Sequence, residues 1–331
     1  MHSFHYARAA DIDEAMRLAA PAGPGRQVRF LAGGTTLVDL MKLDIETPTH
    51  VIDINGLGLD QVEVLPGGQV RIGALVRNAD LARHAHIAAH YPVLSQALLA
   101  GASAQLRNMA TTSGNLLQRT RCVYFRDRAA RCNKRSPGSG CDALGGHNRN
   151  LAILGASAHC IATNPSDMNV ALMALGATVH VQGPGGARDI ALQDFYLLPG
   201  DSPQRETVLQ AGELITHVSL PPLAPDTRSS YLKLRDRASY EFALASAAVV
   251  LQARDGSIVS AGIALGGVGT RPWRCPQAEQ LLVGQVPGAR QYQQAAQAAL
   301  QDAVAQSENG FKIELARRCL VHALSTTLPP Q

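Results

Sequence analysis

"FLAGGTTLVDLMKL", residues 30–43, puts an apolar strand end, two glycines, two threonines and an amphipathic run in immediate succession. The order describes a strand that turns sharply into a helix. Glycines at such a turn let main-chain N–H groups approach a ligand closely, and the helix that follows adds unpaired N–H donors and the positive end of its dipole. "TTSGNLL", 111–117, repeats the logic. This chemistry suits a pyrophosphate, yet neither segment is the G-x-G-x-x-G dinucleotide fingerprint or a P-loop, and either one alone reads equally as a tight turn.

Outward from the first turn, "VRFLAGG" and "THVIDING" are strands flanking the helix "TTLVDLMKL", which makes residues 1–58 a small α/β unit closed at Asn55-Gly56 and followed by the linker-like "GLGLD". A second unit begins near residue 59 with the strand "GQVRIGALV"; Asn78 is placed to cap the helix "ADLARHAH", and "VLSQALLAGASAQL" reads as one longer helix. "SDMNVALMALG" has a serine at its start and a glycine at its end, the two signals of a capped helix, with "ATVHVQG" a strand after it. "PPLAPDTRSS", 221–230, marks the next boundary. Beyond it "VVLQARDGSIVSAGIAL" is a hairpin around Asp255-Gly256, and helices fill the remainder to residue 331.

With 331 residues, 46% of them hydrophobic, the chain is expected to form two or three compact units. Aromatic residues make up 4% and the net charge is +4, which argues against nucleic acid as a partner. No apolar run approaches bilayer length, so neither membrane insertion nor a secretion signal on this chain is expected.

Cys122, Cys132, Cys141 and Cys160 are separated by nine, eight and eighteen residues. Three chemistries fit such bunching: two disulfides, a structural zinc or an iron–sulfur cluster, and no C-x-x-C pair selects among them. Arg119, Arg121, Arg126, Arg128, Arg131, Lys134 and Arg135 surround them and could offset the charge of a thiolate cluster, while "NKRSPGSGC" is rich in turn formers whose N–H groups can wrap sulfur. The same stretch has little apolar filling and is expected to be built by its cross-link. Cys319 follows Leu315 by one helical turn and reads as core; Cys275 beside Pro276 is not expected to be a ligand. The histidines, including His84, His86 and His90, carry no metal or triad spacing.

Taken together, "FLAGGTTLVDLMKL", "LRNMATTSGNLL", "ATNPSDMNVALMALGA" and "YLKLRDRASYEFALASAAV" resemble, in order and over nearly the whole chain, the FAD-binding subunits of the molybdenum hydroxylases, the xanthine dehydrogenase and aldehyde oxidoreductase group. The inserted cysteines are similar to those of its bacterial periplasmic aldehyde oxidoreductase branch. The resemblance implies an α+β chain: an FAD-binding PCMH-type domain of two α/β subdomains (1–58 and 59–222, with the Cys-rich insertion at about 119–160), then a CO dehydrogenase flavoprotein-like C-terminal α+β domain (228–331). It implies that Leu31, Ala32, Gly33, Gly34, Thr35, Thr36 and Leu37 surround the FAD pyrophosphate and that Thr111, Ser113, Gly114, Asn115 and Leu117 hold it from the other side. Asp167 would hold the adenosine part, the backbone at Ile215 would face the flavin or adenine, and Lys233 would lie near the isoalloxazine. Lys233, Arg235 and Arg237 also alternate, as on one face of a strand. The four cysteines would bind a [4Fe–4S] cluster.

The implied function is that of an electron-transfer subunit in a heterotrimer. Electrons would pass from a molybdenum cofactor-binding large subunit and a [2Fe–2S] small subunit through FAD to an external acceptor such as ferredoxin, the aldehyde being oxidised on the partner. Alternatives are the FAD subunit of an aromatic thioester reductase or a xanthine dehydrogenase-like enzyme and, from another class, a zinc-stabilised scaffold without redox function. The complex would be periplasmic by co-export on a partner's signal, or cytoplasmic. In this reading the two cofactor sites are separable, and losing a cluster ligand leaves FAD largely in place.

Overall fold

The computed structural model describes residues 1–20 and 25–330. Three sheets divide the chain. The first holds β1 (His5–Arg8), β2 (Val28–Leu31) and β3 (His50–Asp53), parallel in the order β1-β3-β2. Parallel neighbours need a crossover between them. Helices Ile12–Ala19 and Leu37–Lys42 provide two, the former capped by Asp11, whose side chain accepts from the Glu14 N–H at 2.7 Å.

The second sheet is antiparallel: β4 (Val62–Val64), β5 (Val70–Gly73), β6 (Thr178–Gly183), β7 (Gly186–Ala191) and β8 (Leu214–Leu220), ordered β4-β5-β8-β6-β7. Its strands alternate, so Val70, Ile72, Val179, Val181 and Val218 share one buried face against a layer of helices that includes Pro92–Ala100 and Asp167–Leu175. The third sheet, β9 (Thr227–Leu234), β10 (Ala245–Arg254), β11 (Ser257–Gly266) and β12 (Trp273–Arg274), is ordered β12-β11-β10-β9. Asp255 and Gly256 at the β10–β11 turn both have left-handed backbones, φ 50° and 76°, as a two-residue hairpin turn requires. One face packs on helices Pro276–Leu282, Ala289–Ala299 and Phe311–Thr327; from the other, Ala248, Val250 and Ala264 join the core of the second unit. Cys275 and Cys319 are both buried in the helical core of this third unit.

Four local readings change. "VLSQALLAGASAQL" is two helices, Pro92–Ala100 and Ala104–Met109, because Gly101 leaves helical geometry and Ala102 turns left-handed at φ 50°. Asn78 is the first helical residue, not a cap, and the helix stops at Arg83 before a second one at Ala85–His90. β9 ends at Leu234, so Arg235 and Arg237 lie in the turn beyond it, where each donates to a nearby backbone carbonyl instead of extending a basic strand face. The cysteine insertion also has a small apolar core: Phe125, Ala143 and Ile161 are buried with Leu40 around the thiols. Helix Asp167–Leu175 meets its expectation, with the Ser166 side chain accepting from the Asn169 N–H and Gly176 left-handed at φ 69°.

Candidate functional site

A cavity of about 890 Å³ opens where the three units and the insertion meet, and Thr35, Asn115, Cys122, Asp167 and Lys233 all line it. From the first glycine turn Thr35 and Thr36 line it, while Gly33 and Gly34 lie behind them. Gly34 is left-handed, φ 74°, and the N–H groups of Gly34, Thr35 and Thr36 meet no protein acceptor among the described residues. Gly33 is required by proximity: a Cβ there would stand 1.9 Å from the Met109 carbonyl oxygen. The first glycine turn therefore packs against the Met109 backbone just before the second segment, and Arg77 ties that backbone to the end of the first unit, one guanidinium nitrogen donating to Met109 O and the other to Asn55 Oδ1 at 3.1 Å.

The second turn differs in what it leaves free. Thr112 N–H donates to Val76 O at 3.0 Å, Ser113 N–H to Ala74 O at 2.9 Å and Gly114 N–H to Thr111 Oγ1 at 3.2 Å. Thr111 and Ser113 are thus spent on anchoring the turn to the strand side of its own unit and lie buried behind it. Gly114 and Asn115 are the members of this segment that reach the cavity. Asn115 Oδ1 accepts from Ser166 Oγ at 2.7 Å, which ties the turn to the start of helix Asp167–Leu175. Leu31 and Ala32 are occupied by their carbonyls, both of which accept from Asn55 Nδ2, and Leu37 opens the helix. Leu117 lines a neighbouring smaller cavity, and Ile215 is packed in the core, paired with Val181 across β6 and β8.

Asp167 and Lys233 are joined: Nζ to Oδ2 is 2.8 Å, and the two side chains are only 7% and 4% exposed. Lys233 also donates to Ala100 O at 3.1 Å, and the Tyr231 hydroxyl donates to Asp167 Oδ1. The roles carried over from the family set this pair at opposite ends of the dinucleotide, whereas here the carboxylate and ammonium form one buried ion pair on a single wall. Sequence reasoning gave Asn78, Arg121 and Arg126 other roles and did not single out Asp39, yet all four line the cavity. Asn78 Oδ1 and Ser246 Oγ, both of residues in the lining, are buried and without a partner among the described residues. Such orphans carry a desolvation cost that a hydrogen-bonding ligand relieves. Volume, free N–H groups and orphaned polar atoms together fit FAD.

The four cysteines converge. Cys132 and Cys141 face each other across an isolated bridge, Ser157 and Cys160 do the same, and Cys122 begins the short helix Val123–Arg126; all four thiols are free and gather in one cluster with Leu40 and Phe125. Burial pushes the Cys122 thiol up to about 11 and raises Cys160 as well, although the Lys134 ammonium pulls Cys160 back. Among the described residues no group of three His, Cys, Asp or Glu side chains is arranged to hold a metal ion. A single tetrahedral ion needs its ligands within about 2.3 Å of one point; a cluster carries its own bridging sulfides and is met by thiols that stand farther apart. What the four free thiols share here is one apolar shell.

The basic side chains of the insertion do not crowd the sulfurs. Arg126 meets Asp39 at 2.6 Å, Arg128 meets Asp44 at 3.3 Å and Arg119 meets Glu46 at 2.7 Å, so the insertion is fastened to the segment that follows the first glycine turn. Arg131 pairs with Asp142, and Arg135 donates to the carbonyls of Tyr124 and Phe125. Arg121 stands 3.9 Å from Asp39. Lys134 is the exception that faces Cys160. It is held by Glu206 at 2.9 Å; burial alone would raise the Glu206 carboxyl, but Arg119 and Lys134 outweigh it and hold the group below its usual range. Arginines outnumber nearby thiolate positions because they serve as ties: a guanidinium can bridge several oxygens at fixed geometry.

A two-turn dinucleotide seat with a fused C-terminal α+β unit defines a flavoprotein subunit of the molybdenum hydroxylases, and the chain belongs to that family: residues 2–223 match the FAD binding domain in molybdopterin dehydrogenase, and residues 229–327 match the CO dehydrogenase flavoprotein C-terminal domain. It is an oxidoreductase subunit. Among individual relatives, it is 52% identical to the aldehyde oxidoreductase FAD-binding subunit PaoB of Escherichia coli K12 over 98% of both chains. It is 29% identical to the carbon monoxide dehydrogenase medium chain of Afipia carboxidovorans over 85% of this chain and 80% of that one. The solved CO dehydrogenase from Oligotropha carboxidovorans superposes with a TM-score of 0.78 at 26% identity, covering 98% of each chain.

Proposed function

We propose that this chain is the FAD- and [4Fe–4S]-containing electron-transfer subunit of a heterotrimeric, molybdenum-dependent aldehyde oxidoreductase. A large molybdenum subunit and a small [2Fe–2S] subunit supply the electrons, and an external carrier such as ferredoxin removes them. The observation that carries the reading is Cys122, which belongs to the thiol cluster and also lines the large cavity. That shared residue supports the reading, because electron transfer requires the two cofactors to lie close together. When bound, FAD supplies a two-electron acceptor able to release electrons singly, and the cluster a one-electron carrier.

The residues of the chain do the rest. Gly34, Thr35 and Thr36 offer N–H donors to the diphosphate, with Gly114 and Asn115 opposite. Asp167 and Lys233 provide an ordered polar wall, and Cys122, Cys132, Cys141 and Cys160 hold the cluster in surroundings that exclude water. Arg128 and Arg131 remain well exposed beside it, a basic surface suited to steering an acidic carrier. The aldehyde specificity follows the PaoB relative, with which this chain aligns end to end.

The test is spectroscopy with metal analysis on the purified complex. Flavin absorption, iron, and a paramagnetic signal on reduction that disappears in Cys132→Ser support the reading. Zinc in place of iron, or aldehyde turnover by this chain alone with FAD as its sole organic cofactor, overturns it.

A further inference from the structure

From the residues shared between the insertion and the cavity we infer that the cysteine insertion is itself part of the dinucleotide seat: Arg121 and Arg126 supply cationic contacts to the FAD diphosphate, and loading the four cysteines strengthens FAD binding. This rests on the placement of FAD in the large cavity proposed above.

Three observations converge. Arg121, Cys122 and Arg126 are neighbours in sequence, and all three line the cavity. Both guanidiniums approach the same carboxylate, Asp39, at 3.9 and 2.6 Å. One carboxylate between two guanidiniums leaves a net positive charge, and it lies a single helical turn from Thr35 and Thr36, whose N–H groups are free. Arg126 Nη1 is in addition buried without an acceptor among the described residues. A buried charged donor without a partner is costly, and a dianionic diphosphate relieves both the excess charge and the missing acceptor.

The coupling follows from how the arginines are held. The helix Val123–Arg126 starts at Cys122, and the Arg135 guanidinium grips its carbonyls at Tyr124 and Phe125 from three residues past Cys132. The positions of Arg121 and Arg126 therefore depend on the loop that the thiols close. Without the cross-link that loop gains freedom, and the arginines must be ordered when FAD binds. Binding then weakens by that ordering cost, and linkage makes the effect reciprocal.

The experiment uses the full complex stripped of flavin, titrated with FAD and with riboflavin, with iron measured on each sample. Arg126→Met and Arg121→Met should each weaken FAD about tenfold, the loss of a charge-assisted contact, with iron retained, riboflavin affinity unchanged and partial rescue in Arg126→Lys. Cys132→Ser, whose residue lies outside the cavity lining, should also weaken FAD, in place of the separable sites that the sequence alone implied; combined with Arg126→Met, it should cost less than the product of the two effects. Wild-type FAD affinity in both arginine variants, alongside lost affinity in Gly34→Val, overturns the inference and leaves the seat standing. Wild-type affinity in Gly34→Val as well shows that FAD binds elsewhere, and both readings fall. Equal losses for FAD and riboflavin in the arginine variants also overturn the inference, because the diphosphate is then not what they meet.

Discussion

Gly33→Ala asks for one methyl group where the structure has none to give. The added Cβ would lie 1.9 Å from the Met109 carbonyl oxygen and 2.7 Å from its carbon, and real Cβ contacts are not found below 3.0 Å. Both obstructing atoms are backbone, so no side-chain rotation relieves the clash. Either the first glycine turn or the Met109–Ala110 segment must retreat, and the Arg77 bond to Met109 is pulled with it. Overpacking of this kind costs about 1–3 kcal/mol. Because Thr35 and Thr36 on one side and Ala110 on the other line the cavity, the retreat reaches the seat, and FAD affinity should fall by up to about 140-fold, the factor matching the upper end of that range. Titration of flavin-free protein by quenching of FAD fluorescence measures it. Gly185→Ala is the control: its Cβ meets nothing within 4 Å and should change nothing. A Gly33→Ala protein that binds FAD like wild type would refute the argument that contact between these turns builds the site.

Cys132→Ser should remove most of the iron and make residues 119–160 sensitive to protease, while Cys319→Ser, in the helical core, should keep its iron and lose only modest stability; the reverse pattern in metal analysis would overturn the ligand assignment. Asp167→Asn should destabilise the chain by about 3–5 kcal/mol in urea melts, because it strands the buried Lys233 ammonium, and a second change, Lys233→Met, should recover part of that loss. Burial, with Arg149 adding to it, holds Lys312 down to about 7 from 10.5. Between those values the native chain carries fewer protons than the unfolded one, so this group makes stability rise with pH across the window and fall away as pH drops through 7. Lys312→Met should flatten that rise in urea midpoints taken from pH 7 to pH 10.5.

The glycine turns, the capped helix at Ser166, the Asp255-Gly256 hairpin and the core position of Cys319 were legible in the sequence. Each depends on local rules: backbone freedom at glycine, side-chain oxygens that accept at helix starts, and the spacing of apolar residues along one element. The break at Gly101-Ala102 was also local, though weak, since alanine gives no warning of a left-handed backbone. What tertiary structure decided was the company each residue keeps. Ser113 has the composition of a ligand-binding position but spends its N–H on Ala74, whereas Asn78 has the composition of a cap and lines the cavity. Asp167 and Lys233, 66 residues apart in the chain, neutralise each other, and the arginines of the insertion find their carboxylates at Asp39, Asp44 and Glu46 in another subdomain. Charge pairing acts over a few ångströms whatever the distance along the chain, so sequence can name the charged groups while only the fold brings each to its partner.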